Sequence, residues 1–341
     1  MAKILTEQEF NAQIVYNYTD VIGEKVGGKV LLFSDEWFAA ADNLIKPKAA
    51  IRDATRFTHA GAWYDGWETR RHNTAEADYV IFKLGVSSAR LIGTEVDTAF
   101  FNGNHAPHIS VEAIQKLDGD DLSSVQESEW ESVIPKTECG PSQRHFFTRE
   151  TLTEKNYTHA RLRMYPDGGI ARFRLYGAVI PIQPQAKDTV LDLASVNNGG
   201  VAIKVSDQHF GSADNLLLPG RGHDMSDGWE TTRSRTPGHV DWVVIRLGAS
   251  TNIKQVVVDT AHFRGNFPQK VNVKAISVTD ETQIPSHDSS AWEVLVGDSK
   301  TGPDQEHTFD VDNSKAFSHV LLTMIPDGGI KRVRVLGTIA N

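Results

Sequence analysis

A single cysteine, Cys139, stands in the 341 residues. That excludes an intramolecular disulfide and any cysteine-based zinc cluster, and it suits a reducing compartment. Set between Glu138 and Gly140-Pro141, it reads as a free loop thiol rather than a nucleophile. Long apolar runs are missing too. The longest, around 79–84 and 256–258, fall far short of the roughly 20 residues that cross a bilayer. The opening MAKILTEQEF turns acidic after one lysine and holds no apolar signal core, so a cytoplasmic location is expected. Positive charge is in deficit, 35 basic against 44 acidic residues for a net −9, so there is no basic field to grip a nucleic-acid backbone. Neither membrane nor nucleic acid is expected as a partner. The nucleophile elbow GxSxG, the phosphate loop GxxxxGK[ST], a GxGxxG after a strand and CxxC are all absent, which argues against serine-hydrolase and nucleotide chemistry.

What is present is an ordinary globular composition, 40% hydrophobic and 23% charged, in a chain long enough for two cores. The chain also contains itself twice. SDEWFAAADNLI (34–45) returns as SDQHFGSADNLL (206–217), and DGWET (65–69) returns unchanged at 227–231. YVIFKLG (79–85) matches WVVIRLG (242–248), VDTAFFNGN (96–104) matches VDTAHFRGN (258–266), and YPDGGIARFRLYG (165–177) matches IPDGGIKRVRVLG (325–337). A repeat this long is a whole domain rather than a solenoid unit. Two homologous domains, 1–182 and 183–341, are therefore expected, joined within the proline-bearing IPIQPQAKD (180–188).

The apolar pattern in each half alternates as half-buried strands do. Val80, Phe82 and Leu84 alternate with Ile81 and Lys83, and Val271, Val273 and Ala275 follow the same rule. The runs on either side of each PDGG predict a β-hairpin. Helical signal is confined to short pieces: a capping box of Thr6 with Glu9 ahead of Phe10 and Ile14, and one or two turns within 35–44. The fold class is all-β, two antiparallel β-sandwiches with a short N-terminal helix, of jelly-roll or immunoglobulin-like topology.

Three segments carry the polar groups that chemistry needs. Glu68, Arg70, Arg71, His72 and Asn73 follow the first DGW, and the second half keeps Glu230 and Arg233 but not the His-Asn pair. Glu and Arg shared by both halves serve equally well as scaffold. Asp97 ends a strand and leads into Asn102, Asn104, His105 and His108, with Asp259 and His262 in the matching loop. Asp167 with Arg172 and Arg174 is matched by Asp327 with Arg332 and Arg334, and alternation puts each arginine pair on one strand face. His105 and His108 match no established zinc motif, so a metal site is only weakly signalled.

The strings RDATRFTHAGAWYDGWETRRHN (52–73) and EVDTAFFNGNHAP (95–107), together with the two PDGG segments, closely resemble the allantoicase family, the allantoate amidinohydrolases of purine breakdown. The resemblance spans nearly the whole chain, duplication included. It implies a pair of jelly-roll sandwiches similar to galactose-binding-like modules, and an enzyme that splits allantoate with water into ureidoglycolate and urea. It also implies a homo-oligomer, trimer or hexamer. No cofactor follows with certainty, and a divalent metal stays open.

Allantoate is a carboxylate whose α-carbon bears two ureido groups, so its hydrolysis needs an anion clamp, an acid for the departing nitrogen and a base. Arg71 or Arg172 is expected to bind the carboxylate. Glu68 and Asp97 are expected to bind ureido N–H groups or act as base, His72 or His105 as acid, and Asn102 and Asn104 to hold ureido carbonyls. Asp167 completes the substrate-binding set. The counterparts Glu230, Arg233, Asp259, His262, Asp327 and Arg332 make up a second constellation. The expectation favours a site in the first repeat, with an interface of both DGWET copies as the alternative. A non-catalytic jelly-roll module binding a small molecule or carbohydrate is the rival reading. It would use Trp37, Trp63 and Tyr64, but neither tryptophan has a counterpart in the second half.

Overall fold

The computed structural model describes residues 2–340. They form two compact units that divide between Ile180 and Pro181. In the first, one five-stranded sheet runs in the order Lys3–Ile4, Arg144–Thr148, Ala89–Asp97, Arg172–Val179, Thr19–Asp20. The other runs Glu131–Glu138, His108–Ile114, His159–Tyr165, Asp78–Lys83, Lys29–Phe33. Both are antiparallel throughout. The alternation read from the sequence is what fills the space between them. Val96 opposite Phe173 in one sheet, and Leu162 opposite both Val80 and Val111 in the other, all point inward and are fully buried.

The second unit repeats this plan with one difference. Its strand Asp241–Asp259, 19 residues long, runs through both layers and joins them into a single eight-stranded sheet. The first unit breaks the same path between Asp78–Lys83 and Ala89–Asp97. The N-terminal helix Glu7–Phe10 begins as the sequence indicates, with the Thr6 hydroxyl accepting from the Glu9 amide and the Glu9 carboxylate accepting from the Thr6 amide. The turns within 35–44 reduce to the single short helix Ala41–Ile45, matched by Ala213–Leu217.

The expected hairpin at PDGG is not formed. His159–Tyr165 and Arg172–Val179 lie in opposite sheets, so the PDGG segment is an arch between layers. Alternating runs on either side of a turn look alike in both cases. The arch is held from outside: Gly169 pairs with Glu68, Ile170 pairs with Trp67, and the Thr69 amide donates to Gly168 O. Trp67 is fully buried with its indole N–H on Asp35 O at 2.8 Å, and Trp229 repeats this on Asp207 O at 2.8 Å.

Two glycines allow the arch to close. Gly168 has φ 151, and a Cβ at Gly169 would sit 2.2 Å from the Phe101 ring. Gly169→Ala is therefore expected to force Phe101 aside and cost about 1–3 kcal/mol, read as a lower denaturant midpoint with an unchanged slope.

Candidate active site

The arch, the DGWET strand and the 98–107 loop meet at one end of the first sandwich. Glu68 N donates to Ala39 O, and Glu68 O receives the amides of Phe38 and Ala39, so the residue is fixed between two neighbouring segments. His105 bridges to Gly169 on the other side, and Ala106 N donates to Gly169 O. Three short backbone stretches thus lie side by side in the order Glu68, Gly169, His105.

The side chains follow from this frame. Asn104 Nδ2 donates to Glu68 Oε1 at 2.6 Å. Glu68 is 8% exposed, and burial raises its carboxyl above the ordinary value, against the pull of the Asn104 amide and of Arg71. Arg71 Nη1 donates to Asp167 Oδ1 at 2.8 Å, and Asn73 N donates to Asp167 Oδ2 at 3.1 Å. Burial works to raise Asp167, but Arg71 and the Asn73 amide outweigh it and hold this carboxyl below its usual range. A pocket of about 430 Å³ opens beside Arg71, lined also by Asp35, His72, Asn73 and Tyr79. His105 Nδ1 is buried without a hydrogen-bond partner.

Glu68, Arg71, Asn104 and Asp167 are therefore gathered, with His72 and His105 adjoining them in the chain. Asn102 stands exposed at the loop tip. Asp97 and Arg172 sit elsewhere. They pair with each other across the sheet on its outer face, since their neighbours Val96 and Phe173 point into the core. Arg172 is occupied there: Nη2 meets Asp65 Oδ2 at 2.7 Å, Nη1 reaches Asp65 O at 3.0 Å, and Nε reaches Lys48 O at 2.8 Å. It ties the 46–65 segment onto the sheet. Arg174 does likewise through Leu44 O, so the strand face is covered rather than solvated. Burial raises the Asp97 carboxyl, partly offset by the Ala99 amide on its Oδ1 at 2.8 Å.

The second repeat keeps part of this arrangement. Asn266 Nδ2 donates to Glu230 Oε1, Asp259 forms a two-point pair with Arg221 at 2.8 Å, and Arg332 holds Asp227 at 2.9 Å. His262 has φ 69 and its amide donates to Asp304. Letter-by-letter matching hides one change. Arg70 N and Thr232 N both donate to an aspartate, Asp35 or Asp207, and Asn73 N and Ser234 N both donate to the arch aspartate, Asp167 or Asp327. Two residues, Arg71 and His72, lie between these anchors in the first repeat, but only Arg233 lies between them in the second. The extra residue is absorbed at His72, whose φ is 66.

Asp35 was missed in the sequence, although both repeats carry it. It accepts the Trp67 indole on its carbonyl and binds Arg70 Nε at 3.0 Å through its carboxylate. Cys139 is buried, and burial pushes its thiol up to about 12, so it is no nucleophile. Among the described residues, no three His, Cys, Asp or Glu side chains are grouped to hold a metal ion. Nor is any helix among them long and apolar enough to cross a membrane.

Duplicated jelly-roll sandwiches, each with an Asn-held glutamate and an arginine at one end, define a repeated β-sandwich protein with a polar cluster in each repeat. The model of the allantoicase repeat matches residues 19–180 and 191–340. Allantoicase of Saccharomyces cerevisiae is 59% identical over 336 residues, covering 97% of each chain. That of Neurospora crassa is 56% identical, covering 93% of this chain and 90% of its own. The crystal structure of the Saccharomyces cerevisiae protein superposes with a TM-score of 0.80 at 55% identity, covering 99% of this chain and all of that one. The chain belongs to the allantoicase family.

Proposed function

We propose that hydrolysis of allantoate runs in the first repeat, on the cluster of Glu68, Arg71, Asn104 and Asp167. The overall reaction replaces one ureido group on the α-carbon by hydroxyl, giving ureidoglycolate and urea. The C–N bond to the departing ureido group breaks, its nitrogen takes a proton, and the oxygen of water joins the carbon. Arg71 uses one Nη on Asp167, which leaves the rest of its fork for the substrate carboxylate. Glu68 takes the proton from water, and His72 or His105 supplies the proton to urea nitrogen. Asn104 positions Glu68 and offers its amide oxygen to a ureido N–H.

What supports this placement is Glu68 itself, a buried carboxyl with raised proton affinity, held by Asn104 and beside an arginine. A base must be tuned upward to act near neutral pH, and burial does that here. Since the ionised form is the working one, kcat/KM is expected to fall with pH along an acid limb centred above the ordinary glutamate value of 4.5. A pH–rate profile checks this, and a limb at or below that value contradicts the assignment. Arg71→Ala is expected to raise KM at least tenfold, the effect of about 1.5–3 kcal/mol for a hydrogen bond to a charged group. An unchanged KM in the folded variant excludes the clamp.

The same reading makes the chain a cytoplasmic homo-oligomer, trimer or hexamer, built from domains 1–182 and 183–341. In support, the edge strand Lys29–Phe33 leaves Leu32 and Phe33 about half exposed, apolar surface suited to burial in an assembly. Sedimentation of the purified protein as a monomer overturns the oligomer.

A further inference from the structure

The second repeat keeps the recognition half of the first-repeat site, and a cleft opens on it. A cleft of about 1030 Å³ is lined by Glu230, Arg233, Asn266, Phe267 and Asp327, with Phe210 and Met225 as apolar wall. Glu230 is held by Asn266 just as Glu68 is held by Asn104. The arginine differs. With one residue fewer between its anchors, Arg233 is not drawn back onto the arch aspartate. It is exposed and, among the described residues, makes no hydrogen bond or ion pair. Asp327 keeps the Ser234 amide at 2.8 Å, as Asp167 keeps that of Asn73.

The covering segment of 20 residues at 46–65 is reduced to 10 at 218–227, and Met225 stands where the first repeat has Trp63. The groups that would move protons are reduced as well. Phe267 replaces His105, no residue replaces His72, Glu230 is less buried than Glu68, and His262 is the imidazole that lines the cleft.

We propose that this cleft is a second, non-catalytic binding site for a small carboxylate bearing a ureido group. Arg233 takes the carboxylate with its whole unengaged fork, and the Glu230–Asn266 pair takes the ureido N–H and carbonyl. Phe267 and Phe210 cover the ligand's carbon face. The proposal rests on catalysis lying in the first repeat.

Calorimetric titration of the full chain carrying Glu68→Gln with allantoate tests it, because this variant is expected to hold the ligand while turning it over about a hundredfold or more slower. Two equivalents per chain are expected. Adding Arg233→Ala, which removes an exposed side chain that ties nothing together, is expected to leave one equivalent. Adding Arg71→Ala instead is expected to leave the other. One equivalent that survives Arg233→Ala overturns the second site. One equivalent that disappears with Arg233→Ala means the cleft is the sole site, and this also overturns the proposal. Urea release by the Glu68→Gln protein is read separately. If it persists at the wild-type rate, the catalytic placement fails, whatever the binding count.

Discussion

Glu68→Gln is expected to lower urea release from allantoate by about 10²–10⁴-fold, the range for loss of a positioned general base. The fold should survive. Glutamine keeps the oxygen that accepts from Asn104, and the backbone ties to Ala39 and Gly169 do not involve the side chain. Thermodynamic linkage makes the prediction sharper. The Glu68 carboxyl is raised in the folded state, so its contribution to stability is fully present below the unfolded value and is lost as pH rises through the folded one. Above its raised folded value the wild-type protein therefore carries an ionised, buried carboxylate at some cost. The glutamine variant should melt at the same temperature or slightly higher while losing turnover. A variant that is inactive because it has unfolded would show the opposite shift.

Arg172→Ala is expected to act on the fold, not on substrate binding. The side chain and its partner Asp65 are both nearly buried, and removing one member of such a pair typically costs about 3–5 kcal/mol because the other charge is left without a partner. The guanidinium also holds Lys48 O and Asp65 O, so the 46–65 segment should loosen with it. Denaturant titration should show the loss, while KM for allantoate in the remaining folded protein stays near the wild-type value. A large rise in KM with little loss of stability would return Arg172 to the carboxylate site.

Much of this was legible in the sequence. The duplication, the alternating strands and the Thr6–Glu9 cap are local patterns, and local patterns survive into the structure. The site was visible only as separate segments. Glu68 and Asn104 lie 36 residues apart and Arg172 and Asp65 lie 107 apart, so neither pairing is encoded in any short stretch. The DGWET identity correctly marked a shared frame, since Trp67 and Trp229 donate to the same backbone position of the two repeats. It also concealed the residue by which the repeats differ. Arg71 and Arg233 align as letters, yet only the anchors on either side reveal that His72 is the addition. The PDGG arch was mistaken for a hairpin because side-chain alternation reports which face a residue takes, not which sheet its strand joins. Strand parity, present in Val96 and Phe173, places Asp97 on the outer face of its sheet, which no local motif states.

The most direct measurement is urea release from allantoate by Glu68→Gln and Glu230→Gln proteins, each shown to be folded, beside the wild type. The expected result is a loss at least a hundredfold larger for Glu68→Gln than for Glu230→Gln, the lower bound for losing a general base. Equal, complete loss in both, or loss confined to Glu230→Gln, would contradict a catalytic site in the first repeat.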